Sequence, residues 1–215
     1  MKAHGSSSWP VRRRVGEVVA AGLTGLAAML SSRLFGLYVY LALPCLVLWL
    51  LYAAARVRRD PFVLTEWGLR LDNLRSAAWR TAPFLLVGAL GMLFYRLARG
   101  WRPLPASSAL VFALYPLWGV AQQFLVQGIA AGNLRRLGVP PAAVVAVVAV
   151  LFGLVHTPDW PLAALSGPAC AVWSALYLRT PNLIPLGLSH GWLGALAYYW
   201  VLGRNPLAAI FPPAG

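Results

Sequence analysis

Residues 103–132 read PLPASSALVFALYPLWGVAQQFLVQGIAAG, a stretch without any charged residue that nevertheless contains three glutamines. A charge-free apolar stretch of this length can cross a bilayer as a helix. Hydrocarbon offers no hydrogen-bond partner to an amide side chain, so Gln122, Gln123 and Gln127 must face a protein interior or a wet cavity. The stretch therefore predicts a membrane helix that packs among other helices.

The composition of the whole chain supports the same fold class. Of the 215 residues, 60% are hydrophobic and 11% are charged, which is far from the soluble average. We predict an all-α fold, a polytopic membrane helix bundle of about seven transmembrane helices. The bundle forms a single domain over 15–203, between an N-terminal tail at 1–14 and a C-terminal tail at 204–215.

Seven apolar segments are candidate spans, with boundaries that are soft by several residues. The first is the least certain, because it could also be an interfacial or re-entrant helix; Glu17 and the lack of a convincing cleavage site favour a retained span over a signal peptide. The candidates are Val15–Ser32, Leu37–Ala55, Thr81–Tyr95, Ala106–Gly132, Val139–Thr157, Trp160–Leu178 and Leu183–Gly203.

The net charge of +13 is explained by cationic flanks beside the spans. With the N-terminus in the cytoplasm, 13 of the 18 basic residues lie on the cytoplasmic side and 5 on the opposite side. The five are Arg33, Arg96, Arg99, Arg102 and Arg204. This asymmetry predicts a cytoplasmic N-terminus and an external C-terminus, with 96–102 as the one discordant loop. No basic module with interleaved aromatic residues is present, so we expect no nucleic-acid partner.

The longest polar connection runs from Asp60 to Arg80. Asp72 can cap a helix whose apolar residues recur at helical spacing, which predicts a short helix on the cytoplasmic headgroups before the third span. Cys45 and Cys170 lie in apolar segments and are expected to be buried thiols. Their spacing indicates no metal site, and we expect neither a metal nor a cofactor.

Polar residues recur in three of the spans. Gln123 and Gln127 are four residues apart and are expected to share a helix face with Gly119. Phe152 and His156 have the same spacing on the next span, and His190 lies on the last. Two of the three histidines of the chain are thus in or beside spans.

In their order along the chain, these motifs resemble the CPBP family of CAAX proteases and bacteriocin-processing intramembrane proteases. That family carries Glu-Glu-x-x-x-Arg-Gly on one helix, Phe-x-x-x-His on the next, and His-x-x-x-Asn or His-x-x-x-Asp about two helices later. Phe152 to His156 fits the second motif fully, and Trp67-Gly68-Leu69-Arg70 resembles an upstream Gly-Leu element. The resemblance covers a core of about 65–202.

Two of the motifs depart from the family pattern. Gln122-Gln123-Phe124-Leu125-Val126-Gln127-Gly128 fits the first motif in frame, with glutamine in place of both glutamates and the arginine. His190 matches the third motif, with Gly194 where the amide or acid belongs. The resemblance implies peptide-bond hydrolysis in the membrane, with catalytic positions at Gln122, Gln123, Gln127, His156 and His190. It places Phe152 and Gly194 beside the substrate cavity.

Glutamine does not titrate in the range that water activation requires and cannot act as a general base. We therefore expect a catalytically degenerate homologue that binds a membrane-embedded peptide, a lipidated tail or a partner protein, in contact with membrane lipids. The alternative is an active intramembrane endopeptidase with an altered Gln/His site.

A small transporter would need a polar path through the bundle, and a single polar cluster is visible. The glutamines could also have no role beyond forming hydrogen bonds between helices. The resemblance implies a bacterial inner (plasma) membrane location.

The depths of the predicted site residues do not agree. With a rise of about 1.5 Å per residue, Gln123 and His190 lie roughly 10–14 Å from the cytoplasmic ends of their spans, and His156 lies nearer 25 Å. We expect either a tilted fifth span that begins later or a site that is not compact.

Overall fold

The computed structural model describes residues 11–35 and 38–209, and over these ranges the chain forms helices and turns without a strand. The helices, in chain order, are α1 Val11–Phe35, α2 Tyr38–Arg59, α3 Val63–Trp67, α4 Leu74–Ala98, α5 Ser108–Gln123, α6 Gly132–Arg136, α7 Pro141–Leu154, α8 Trp160–Arg179 and α9 Leu183–Leu196. Wider π-helical segments follow α5 at Phe124–Ala131 and α9 at Ala197–Val201. The all-helical bundle predicted from the composition is confirmed.

Five of the helical stretches in the described ranges are long and apolar enough to cross a membrane. They are Val11–Ser31, Leu41–Arg59, Leu74–Ala98, Ser108–Arg136 and Trp160–Arg179. The other two predicted spans correspond to α7 and α9, which have 14 residues each. The expected count of seven is therefore not matched by seven such helices. Pro158 follows closely after α7, and α9 continues only as the π-helical segment Ala197–Val201.

The predicted headgroup helix before the third span is wrong in two respects. The segment from Leu74 onward belongs to α4, a continuous helix of 25 residues that also contains the third span. Asp72 lies outside this helix and forms an ion pair with Arg70 instead of capping it. The hydrogen bond from Arg70 lowers the pKa of Asp72. The short helix of this connection is α3, which ends at Trp67, before the start of α4 at Leu74.

Helices α5 and α9 pack closely because glycine replaces larger side chains where their backbones meet. A Cβ atom built on Gly191 would lie 2.4 Å from the backbone nitrogen of Pro116. One built on Gly119 would lie 2.3 Å from the carbonyl oxygen of Gly187. Small residues permit this kind of backbone approach between membrane helices. The contact fixes the C-terminal half of α5 beside the middle of α9, where His190 lies.

Glu17 is buried in a polar cluster that joins α1 to α2 and α6. One carboxylate oxygen of Glu17 accepts a hydrogen bond of 2.6 Å from the Asn133 side chain, and the other accepts one from the Tyr52 hydroxyl. Arg14 donates to Glu66 at 2.8 Å and to Asn133 at 3.2 Å. We call the five residues Arg14, Glu17, Tyr52, Glu66 and Asn133 the α1 cluster. It gives the acid in the first apolar segment a packing role within the bundle.

Candidate functional site

Gln123 and His190 meet at the contact between α5 and α9. The amide nitrogen of Gln123 lies 3.2 Å from Nδ1 of His190, and only 1% of Gln123 is exposed. Gln123 is the last residue of α5, and His190 lies one residue before Gly191, one of the glycines at which the two backbones approach closely. The structure thus pairs two of the residues that the motifs single out.

Aromatic side chains hold the His190 ring from two sides. Trp173 of α8 stacks on it with ring centroids 4.6 Å apart, and Phe152 of α7 meets it edge-on at 5.5 Å. The Trp173 indole N–H donates to the Ser189 hydroxyl at 2.9 Å, which fixes the orientation of the indole. The sequence did not predict a role for Trp173 or Ser189, because neither residue belongs to a recognisable motif in its apolar helix.

His156 lies just beyond the end of α7 and contacts Phe152, so that Phe152 touches both imidazoles. The Phe152 and His156 rings are 4.8 Å apart. Nδ1 of His156 lies 2.6 Å from the carbonyl oxygen of Phe152. A carbonyl oxygen only accepts hydrogen bonds, so the proton is on Nδ1 and the lone pair of neutral His156 is on Nε2. Phe152 thus links His156 to the Gln123–His190 pair.

Gln127 makes its hydrogen bonds to α8 and not to either imidazole. Its amide nitrogen donates to the Ser174 hydroxyl at 2.9 Å and lies 3.8 Å from the Cys170 sulfur. Gln123 and Gln127 were expected to share a helix face, but their side chains contact two different helices, α9 and α8 respectively. At Gln127, the interhelical hydrogen bond that was the alternative interpretation is present. Cys170 and Ser174 complete this contact. Cys170 is buried as expected, whereas the same expectation is wrong for Cys45, which is only partly buried.

The remaining two motif positions take no direct part in the Gln123–His190 pair. Gln122 is partly buried, and among the described residues no hydrogen bond joins its side chain to the pair. Gly194 lies one helical turn beyond His190, where a Cβ atom would lie 3.7 Å from the Tyr115 ring. An aromatic ring thus faces the position at which the family carries an amide or an acid.

No carboxylate is bonded to the candidate site, and this holds for all five acidic residues because all lie in the described ranges. Glu17 and Glu66 are in the α1 cluster, and Asp72 pairs with Arg70. Asp60 accepts a hydrogen bond from the backbone of Phe62 at 3.0 Å. Asp159 caps the first turn of α8 and pairs with Arg204. A general base of the carboxylate type is therefore missing from the site.

Two buried acceptor atoms have no partner among the described residues. They are the amide oxygens Oε1 of Gln123 and of Gln127. A buried polar atom left without a hydrogen bond typically costs about 1–3 kcal/mol. The described residues contain no group of three His, Cys, Asp or Glu side chains that could hold a metal ion, and the expectation of a metal-free site stays a prediction.

The helical bundle and the paired motif residues are similar to what the CAAX-protease motifs of the sequence led us to expect. Residues 102–196 match the family model for the type II CAAX prenyl endopeptidase Rce1-like proteins, so that the family predicted from the motifs is confirmed over this segment. No curated protein and no solved structure matches the chain. The matched segment extends from the loop before α5 to the end of α9 and includes the motif positions from Gln122 to Gly194, but not the Gly-Leu element at Trp67–Arg70.

Proposed function

We propose that this protein is a CAAX-protease-like membrane protein that binds a membrane-embedded peptide or a lipidated peptide tail without hydrolysing it. The observation that carries the proposal is the Gln123–His190 pair, which occupies the centre of the site without a carboxylate. Water attack on an amide needs a group that accepts a proton, and glutamine does not do so. A partner protein that inserts such a segment would occupy the same site.

The unpartnered amide oxygens support binding of a peptide in particular. Peptide backbones carry N–H donors, and a bound peptide would supply a hydrogen bond to Oε1 of Gln123. The aromatic rings of Phe152 and Trp173 contact His190, the partner of Gln123, and would contact apolar side chains or a lipid chain of the ligand. The site then offers both a polar anchor and an apolar surface to one ligand.

An active peptidase with an altered site is the second candidate, and the two histidines favour it. The lone pair on Nε2 of His156 could accept a proton from water, as in general base catalysis by imidazole. No carboxylate is hydrogen-bonded to His156 in the described structure, because the Asp159 side chain is bonded to α8 and to Arg204. We therefore rank hydrolysis below binding.

Binding is tested with a prenylated peptide that carries a photoreactive group, incubated with the purified full chain in detergent. We expect crosslinks on α5 and α9, and an affinity about three- to tenfold lower in Gln123→Leu, since one hydrogen bond is lost. Gln122→Leu is the matched control and should bind like the unmodified chain. Equal affinity of all three proteins, or crosslinks confined to α1 and α2, would contradict the proposal.

We also propose that the N-terminus is cytoplasmic and that the membrane is the inner membrane of a bacterium. The α1 cluster supports a common side for Arg14, Arg56 and Arg136, which the charge asymmetry assigns to the cytoplasm. Reporter fusions after Gly138 and after Gly215 should report the cytoplasmic and the external side, respectively. A shared side for both fusions would mean that α7, α8 and α9 do not all cross the membrane.

A further inference from the structure

The discordant arginines of the sequence line a cavity at the end of α4. This cavity has a volume of about 470 Å³, and its wall includes Arg96, Arg99, Arg102 and Trp200. A second cavity of about 220 Å³ shares Arg96, Arg102 and Trp200 with it. Three cationic side chains from the last turn of α4 and the loop after it therefore converge on one concave surface.

Two buried donors in this wall have no partner among the described residues. They are Nε of Arg96 and the indole nitrogen Nε1 of Trp200. Arg96 is only 8% exposed, so that its guanidinium is largely removed from water. A buried cation without a counter-ion is unfavourable, and a bound anion would compensate it. The donors belong to two different segments, which is what a binding site requires.

No acidic side chain of the chain neutralises these arginines. Asp159 is the acid that reaches the neighbouring Arg204, and it is already engaged in that ion pair. The other four acids lie in the α1 cluster or in the connection between α2 and α4. Arg99 stands over the Tyr95 ring at 6.0 Å, a cation–π contact that leaves its charge in place.

The position of the cavity indicates where its anion comes from. It lies at the end of α4, one of the helices able to cross a membrane, and beside exposed aromatic residues. Trp101 is 57% exposed and Tyr95 is 41% exposed. Exposed Trp and Tyr at the end of a span are typical of the headgroup level of a bilayer. Arginine guanidinium groups match the geometry of phosphate oxygens.

We propose that this cavity binds the phosphate group of an anionic membrane lipid, with Arg96, Arg99 and Arg102 as its cationic ligands. This site lies apart from the Gln123–His190 pair and does not depend on the function proposed for that pair. It also explains why arginines are placed in the loop that opposes the charge asymmetry of the chain. The favourable contact with the anion would offset the cost of placing these arginines on the external side of the membrane.

Native mass spectrometry of the purified full chain, titrated with phosphatidylglycerol, tests the proposal. We expect retention of this lipid and not of a diacylglycerol with the same acyl chains. Arg96→Gln combined with Arg102→Gln should weaken retention by about tenfold or more, since charge-assisted hydrogen bonds are lost. Arg179→Gln is the matched control, because Arg179 is exposed at the far end of α8. Arg102→Gln alone, an exposed position, serves if the double variant does not fold.

The outcomes separate the possible sources of the phosphate. Weaker retention in the Arg96 and Arg102 variants, with the Arg179→Gln protein unaffected, supports the proposal. Equal retention by all variants, or equal retention of phosphatidylglycerol and diacylglycerol, overturns it. Thermal stabilisation by inorganic phosphate alone, lost in the same variants, overturns the lipid as the source.

Discussion

Gly191→Ala is expected to destabilise the bundle by more than about 3 kcal/mol, at or beyond the upper end of ordinary overpacking costs. The added methyl group would lie 2.4 Å from the nitrogen and 2.5 Å from the Cα atom of Pro116. These are backbone atoms of α5, so no side-chain rotation can relieve the clash, and α5 and α9 must separate. The measurement is thermal unfolding of the purified protein in detergent. The protein that remains folded after heating is quantified by size-exclusion chromatography.

Gly91→Ala is the matched control for this experiment. Gly91 is an exposed residue inside α4, and a Cβ atom there meets nothing within 4 Å. Alanine is favoured over glycine in helices by about 1 kcal/mol, so this variant should be as stable as the unmodified chain or slightly more stable. If Gly191→Ala unfolds at the same temperature as Gly91→Ala, the close contact between α5 and α9 is incorrect.

Glu17→Ala is expected to destabilise the protein by about 3–5 kcal/mol, the typical cost of removing one partner from a buried charged contact. Glu17 is 5% exposed and accepts hydrogen bonds from Asn133 and Tyr52. Its Oε1 also lies 3.9 Å from Nε of Arg56, which is 6% exposed. Without the carboxylate, the Asn133 and Tyr52 donors remain buried beside the positive charge of Arg56, which loses its contact with Glu17. Chemical unfolding of the purified protein in mixed micelles measures the loss.

Two further variants separate charge from hydrogen bonding at this position. Glu17→Gln keeps an acceptor for Asn133 and should lose less stability than Glu17→Ala. Asp72→Ala removes an exposed ion pair with Arg70 and should change stability little, because water and salt screen such pairs. A Glu17→Ala protein that is no less stable than Asp72→Ala would show that the α1 cluster does not hold α1 in the bundle.

The sequence was most informative where polarity and spacing coincide. Three uncharged amides in an apolar stretch predicted a packed membrane helix, and the order of the motifs predicted the family that residues 102–196 match. The pairing of Gln123 with His190 also follows the motif order. These features depend on local patterns, since hydrocarbon penalises an unpaired polar group wherever it lies.

Features that depend on contacts between distant segments were not predictable in this way. The hydrogen bond from Gln127 to α8 requires that Ser174 lies opposite Gln127. The spacing of residues within one helix does not determine which residue of another helix lies opposite. The π-helical segment after Gln123 has no distinct composition, although such segments are frequent at functional sites. Glu17 read as an anomaly in an apolar run, because its partner Asn133 is more than 100 residues away.

Mass spectrometry of a prenylated peptide, recovered after incubation with an equal amount of the purified protein, distinguishes binding from hydrolysis. We predict that the peptide is bound and recovered intact, and that His156→Ala leaves this result unchanged. A peptide cleaved by the unmodified chain but left intact by folded His156→Ala or His190→Ala would contradict it. That result would mean that two imidazoles beside a glutamine amide suffice for hydrolysis.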